Sequence, residues 1–214
     1  DVEAKLRGEI GTQVRLTLSR PLQSSFEVTI ERETIEIPSV RWHMQTATIG
    51  YVQLTSFTER TDDELVAALE NMRQPEIAGL LLDLRQNRGG LVDAAVAVAG
   101  RFLEQGDVVL HQTGDDGRRT LRAETGGDLA IPMVVLVDGG TASAAEIVAG
   151  ALQDHGRAPL MGQPTFGKGS VQEIYDLSDG SSLHVTTTIW LTPDLHPIDK
   201  RGLMPDVLVP RGVG

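Results

Sequence analysis

The 214-residue sequence contains no cysteine. That removes disulfide frameworks, thiol catalysis and cysteine-based metal sites, and leaves the redox compartment open because thiol-free chains occur in both. Runs of basic residues are missing too. Nineteen Lys and Arg against 30 Asp and Glu give a formal net charge of −11, so the basic footprint that binds nucleic acid or an anionic membrane is absent and no nucleic-acid partner is expected. No apolar stretch approaches the roughly 20 residues that cross a bilayer. The chain opens at Asp1 on a charged segment rather than a signal peptide, and a start without Met reads as a fragment or a processed protein with any targeting segment upstream. HExxH, other clusters of His with carboxylates, and cofactor motifs are absent, so neither metal nor cofactor is expected.

Hydrophobic residues make up 40% of the chain, enough for one main core and a small appendage. Residues 1–37 read as a short helix ending near Gly8 and two alternating strands, Val14 to Leu18 and Phe26 to Ile30. Thr48 to Phe57 reads as a strand. Thr61-Asp62-Asp63-Glu64 reads as a capping box that opens a helix with Leu65, Ala68, Leu69 and Met72 on one face, closed by Pro75. An apolar run from Ala78 to Leu84 predicts a buried strand, followed by the loop Arg85 to Gly90 and a helix from about Leu91 to Leu103. Gln112 to Asp128 is polar and glycine-bearing, as in a surface loop or loosely ordered hairpin. A second buried strand, Ile131 to Val137, then runs into Asp138-Gly139-Gly140-Thr141-Ala142-Ser143 and a helix to about His155, with short strands from there to Val209. The alternation predicts an α/β fold. The junction near residues 38–48 divides a segment 1–37 from a core domain 38–214.

Ser143 stands where a buried strand turns through two glycines into a helix, a place where a hydroxyl is exposed and the following amides can face an oxyanion. A plain structural reading competes with this, because Ser143-Ala144-Ala145-Glu146 is also a helix-capping box. A nucleophilic serine needs a base. His155, beside Asp154, lies twelve residues along the same helix, roughly 18 Å away at about 1.5 Å per residue, and His43, His111, His184 and His196 occupy no triad context. Lysine is scarce: of 19 basic residues only Lys5, Lys168 and Lys200 are lysines. Lysine, unlike arginine, can lose its proton when desolvated and act as a general base, although a lysine between Gly167 and Gly169 also fits a solvated surface loop. Gly162 to Lys168 begins like a phosphate-binding loop. The fit then fails, because Gly169 replaces the magnesium-holding hydroxyl and Val171 to Leu177 reads as a strand where that motif needs a helix.

Three blocks together resemble the signature of the C-terminal processing (tail-specific) serine peptidases: Gly89-Gly90, Gly140 to Ile147, and Thr165 to Gln172. The steps of 25 residues from Ser143 to Lys168 and four from Lys168 to Gln172 match that family, and Val148 to His155 resembles its nucleophile helix. Thr141 departs from a serine common there but keeps the hydroxyl. The likeness covers about Thr48 to Pro210, and residues 1–37 resemble the last part of a PDZ domain with its connecting strand. The resemblance implies a crotonase/Clp-protease-like core of mixed β-sheets and helices with a partial PDZ. It implies Ser143 as nucleophile, Lys168 as base, Gln172 orienting the lysine amine, the amides of Gly89 and Ala144 as oxyanion hole, and Gly90, Glu146, Asp154 and Thr165 in support.

If the loop carrying Lys168 is a strand, the four-residue step leaves Lys168 and Gln172 on one face. Asp154, a carboxylate near a helix C-terminus, is expected to have a specific partner, with Arg88 and Arg157 as candidates. The implied partners are proteins or peptides bound near their C-termini, with a homo-oligomer or an activator protein besides, in an extracytoplasmic setting. Gating by the PDZ leads to the expectation of Ser143 and Lys168 beyond hydrogen-bond distance. The rival readings are a non-catalytic peptide-binding scaffold and a crotonase-like acyl transferase of the same fold.

Overall fold

The structure, a computed structural model, describes residues 5–21, 23–35, 37–72, 77–114, 117–127 and 130–210, without the side chains of residues 172–174 and 184. It falls into two compact units, residues 1–37 and 38–214.

The first unit is built on strands β1 (Gln13–Leu18) and β2 (Phe26–Glu31), paired antiparallel with Leu16 opposite Val28. Val14, Leu16 and Val28 are half-buried while Leu18, Phe26 and Ile30 are exposed, as expected of a two-stranded ribbon with little to pack against. Arg32 ties its ends, donating to the Leu6 carbonyl and to Thr12 Oγ1, each at 2.8 Å. Of the predicted N-terminal helix, Lys5 and Leu6 are helical and Arg7 and Gly8 are not, while residues 1–4 lie outside the described residues, as does Pro75.

The second unit is organised by a six-stranded sheet of β3 (Val40–Met44), β4 (Ile49–Leu54), β5 (Gly79–Asp83), β8 (Met133–Val137), β9 (Leu160–Gly162) and β12 (Val207–Leu208), in the order β12-β9-β8-β5-β4-β3. All neighbours run parallel except β3 with β4. A second sheet, entirely antiparallel, follows the order β10-β11-β6-β7 from β6 (Val108–Gly114), β7 (Gly117–Arg122), β10 (Ser170–Asp176) and β11 (Ser182–Leu191).

Three helices complete the unit. Helix α1 (Thr61–Met72) buries Leu65, Ala68 and Met72. Helix α2 (Val92–Gly100) buries Ala94, Ala95, Val98 and Ala99, ending earlier than the predicted Leu103. Helix α3 (Ala144–Asp154) is buried from Ala144 through Leu152, the mark of a helix inside a core rather than on it. Its small residues permit close approach: a Cβ on Gly150 would meet Thr192 Cγ2 at 3.0 Å.

Three sequence expectations change. Strand β3 lies where only a junction was expected; as an edge strand with four of five residues outside the core it carries little burial signal. The polar stretch from Gln112 contributes to the ordered hairpin β6–β7, because its strands pair within a four-stranded sheet. The Thr61–Glu64 capping box is replaced by tertiary bonds. Glu64 Oε2 accepts from Ser39 N–H at 2.7 Å, Ser39 Oγ at 2.9 Å and Val40 N–H at 3.0 Å. Burial pushes the Glu64 carboxyl up, and these bonds with nearby Arg60 outweigh it, leaving the group below its ordinary value.

Candidate active site

Strands β5 and β8 are adjacent and parallel, with Asp83 opposite Leu136, so the loops leaving their C-terminal ends are neighbours, as at ligand sites of open α/β sheets. The β8 loop turns into α3 at Ser143, whose φ of 56° and ψ of −122° lie where a residue with a Cβ rarely sits. Such strain costs on the order of 1–3 kcal/mol and persists only where the surroundings impose it. The turn is imposed from several sides. Ala142 N–H donates to the Asn87 carbonyl at 2.9 Å, Phe166 N–H to the Thr141 carbonyl at 2.9 Å, and Thr141 Oγ1 to the Leu84 carbonyl at 2.9 Å. The hydroxyl that Thr141 shares with serine thus stitches the Ser143 turn to the end of β5.

The β5 loop is positioned by two acids. Asp83, fully buried, accepts from Tyr51 Oη at 2.6 Å and from Arg85 Nη2 at 2.6 Å. Burial raises the Tyr51 hydroxyl and its bond to Asp83 adds to this, while the hydrogen bond to Asp83 raises the Arg85 guanidinium further. The apolar run read as a strand therefore holds an acidic side chain, and an acid inside a buried strand is the signal that could have flagged this network. Asp138 joins the two loops. It accepts from Gln86 N–H at 2.9 Å, Gln86 Nε2 at 2.6 Å and Gly140 N–H at 2.9 Å. Burial raises its carboxyl, but these bonds outweigh the effect and hold it below the ordinary 3.8.

At the head of α3, Ala144 N–H has no hydrogen-bond partner among the described residues, an orphan donor beside Ser143. A Cβ built on Gly89 (φ +96°) would lie 2.9 Å from that nitrogen and 2.8 Å from Ser143 Cβ, so the glycine loop presses directly on the Ser143 turn and no larger residue fits. Gly89 N–H donates to Asn87 Oδ1 at 2.8 Å. Gly90 lets the chain pass Phe57, whose carbonyl oxygen would stand 2.1 Å from an added Cβ.

Glu146 is completely buried and accepts four bonds: from Ser143 N–H at 2.9 Å, Thr165 Oγ1 at 2.5 Å, Gly167 N–H at 2.7 Å and Lys168 N–H at 2.9 Å. One carboxylate thus links the serine's backbone to the lysine's. Thr165 Oγ1 also accepts from Leu203 N–H at 2.7 Å. Lys168 itself is exposed, and among the described residues no hydrogen bond joins its amine to Ser143 Oγ. It sits in the loop before β10, and a bulge interrupts the pairing between Val171 and Gln172, so the strand premise for a shared face with Gln172 is not met. The Gln172 side chain lies outside the described residues.

Asp154 Oδ2 accepts Asp194 N–H at 2.9 Å, and Oδ1 lies 3.7 Å from His196 Nδ1; its partners are these and not Arg88 or Arg157. His155 Nε2 donates to the Val108 carbonyl at 2.8 Å, His111 bonds Thr120 and His43 bonds Gln45, so no described histidine side chain serves Ser143. His184's side chain lies outside the described residues.

The profile of peptidase family S41 matches residues 48–209. The chain is 39% identical over 205 residues to the carboxy-terminal processing protease CtpA of Bacillus subtilis, covering 95% of this chain and 44% of the relative. It is 38% identical over 216 residues to a carboxyl-terminal-processing protease of Synechocystis, covering 98% and 50%. A solved structure of a photosystem II D1 C-terminal processing protease superposes with a TM-score of 0.73 at 35% identity, covering 96% of this chain and 57% of that one. The chain therefore spans about half the length of the curated relatives it matches. With the serine-bearing turn, the glycine loop and the lysine loop all inside the matched segment, the chain belongs to peptidase family S41.

Proposed function

We propose that this chain is the peptidase core of a carboxyl-terminal processing endopeptidase that works through a Ser143–Lys168 dyad. The observation that carries the reading is the Glu146 carboxylate, which holds the backbone of the serine and that of the lysine at once, 2.9 Å from each N–H; a helix cap alone needs no such second partner.

In its deprotonated form Lys168 takes the proton of Ser143 Oγ, and the oxygen attacks the carbonyl carbon of a peptide bond. Negative charge gathers on the carbonyl oxygen and is received by the amides of Ala144 and Gly89. The lysine then gives its proton to the departing amine, leaving an acyl-enzyme. Water, activated by the same lysine, releases the acid and restores the serine. Gln172 orients the lysine amine; Thr165 acts through Glu146, Asp154 through the 192–196 turn, and Gly90 by admitting Phe57. Substrates are proteins cleaved in their C-terminal regions. Residues 1–37 serve as the last portion of a PDZ domain whose completion gates the lysine, by itself or with a second copy or an activator protein. The setting proposed is extracytoplasmic, as the family resemblance implies; one relative, from Arabidopsis thaliana, is named chloroplastic, and among the described residues no helix is long and apolar enough to cross a membrane.

The test is cleavage of a disordered protein followed by mass spectrometry, using the chain with a complete PDZ beside Ser143→Ala and Lys168→Ala. Loss of cleavage in both variants is expected. Survival in Lys168→Ala sinks the proposed base, and no cleavage by any form favours a peptide-binding scaffold.

A further inference from the structure

One of the two amides assigned to the oxyanion is already engaged in the free protein, since Gly89 N–H donates to Asn87 Oδ1 at 2.8 Å. Asn87 is completely buried and every polar part of its side chain is used: Nδ2 donates to the Leu54 carbonyl at 2.8 Å. Its own carbonyl accepts Ala142 N–H at 2.9 Å, one residue before the nucleophile. On the other side, the Gly89 carbonyl accepts Phe57 N–H at 3.1 Å. The peptide plane between Arg88 and Gly89 therefore hangs between two pinned points. Its carbonyl end, on Arg88, has no hydrogen-bond partner among the described residues, Arg88 is exposed, and Gly89 carries no side chain to obstruct a change in φ.

We propose that Asn87 is a positioning residue of the oxyanion hole: its side-chain oxygen holds the Gly89 amide at rest and yields it, by rotation of the Arg88–Gly89 peptide plane, to the substrate carbonyl oxygen that becomes negative when Ser143 attacks. The inference rests on the peptidase reading above. A buried N–H left without an acceptor is costly; Ala144 N–H bears that cost in the free protein, while Gly89 N–H is relieved of it by Asn87 Oδ1. A neutral amide oxygen suits that role. Bonds to an ionised oxygen are roughly twice as strong as neutral ones, so the exchange becomes favourable only as charge develops, and the gain falls on the transition state rather than on bound substrate.

Asn87→Asp puts a negative acceptor in the same place, one that competes for the amide and repels the oxyanion. The expected result is a kcat lowered about 100- to 1,000-fold, as for loss of one oxyanion donor, with KM nearly unchanged; a wild-type kcat, or a change confined to KM, overturns the proposal. The second measurement is the structure of this chain with a peptidyl boronate bound to Ser143. Gly89 N–H is expected on the boronate oxygen, beyond hydrogen-bond distance of Asn87 Oδ1. If the adduct forms and that amide stays on Asn87, this proposal fails alone. If no adduct forms with Ser143 intact and the complete-PDZ protein cleaves nothing, the peptidase reading fails and takes this one with it.

Discussion

Around Ser143 both backbone and neighbouring side chains are committed, whereas around Lys168 only the backbone is. Ser143 is held in a strained conformation by bonds from the β5 loop, the lysine loop and its own helix, and the acids nearby are saturated with donors. Lys168 shares the same buried carboxylate through its N–H, yet its side chain extends into solvent with no partner among the described residues. The difference shows where the protein invests its rigidity. On the proposed reading, in which Lys168 must be desolvated enough to lose its proton before it acts as base, this contrast separates a prebuilt scaffold from the step that switches it on.

The widest gap between the two regions would be opened at Lys168 itself. Lys168→Arg keeps charge and much of the length but cannot deprotonate; cleavage by the complete-PDZ protein is expected to fall about 10^6-fold, as when one member of a catalytic unit is removed, with the melting temperature unchanged. A stability loss comparable to the activity loss would break the contrast.

Glu146→Ala attacks the element that both regions share. It leaves three backbone amides and the Thr165 hydroxyl without their acceptor, at about 1–3 kcal/mol for each buried orphan. An unfolding free energy lowered by several kcal/mol, read as a lower denaturation midpoint, is expected, and Glu146→Gln, which keeps the shape, should recover part of it. An unchanged midpoint would show that the carboxylate is not the link.

Asp138 sharpens the comparison through pH. Its native carboxyl titrates below the ordinary 3.8, so its contribution is complete at neutral pH, above the unfolded value, and fades as pH falls through the native one. Melting temperatures measured from pH 7 down to pH 3 should converge between the wild type and Asp138→Asn toward the acid end. Parallel curves would show that the clamp between Gln86 and Gly140 adds nothing.

The smallest effect belongs to Thr141. Thr141→Ser keeps the bond to the Leu84 carbonyl and should stay within about 0.5 kcal/mol of wild type, whereas Thr141→Val deprives Asp138 N–H of the hydroxyl it donates to at 3.0 Å and costs about 1–3 kcal/mol by chemical denaturation.

Much of the fold was legible because its signals are local. The apolar runs of β5 and β8, the glycines after each, and the small-residue content of α2 and α3 lie within short windows. The serine, the glycine loop and the lysine loop were likewise readable as motifs. Edge strand β3 was not, because it buries little of itself; the pairing of β6–β7 into a larger sheet and the reuse of Glu64 on Ser39 were not, because each depends on a partner distant in the chain.

The site divides along the same line. By itself the sequence determined which residue types stand where a buried strand turns into a helix, since the apolar run, the glycines Gly139 and Gly140, and Ser143 at the head of a small-residue helix all lie in one short window. Tertiary structure alone decided that Glu146 binds the lysine loop 21 and 22 residues away, that Asp138 clasps Gln86 across 52 residues, that Asp154 takes the 194–196 turn instead of an arginine, and that Asn87 already holds the Gly89 amide. A buried polar group must find its partners wherever the folded backbone brings donors within about 3 Å, and no pattern in one stretch of chain records which donors those are.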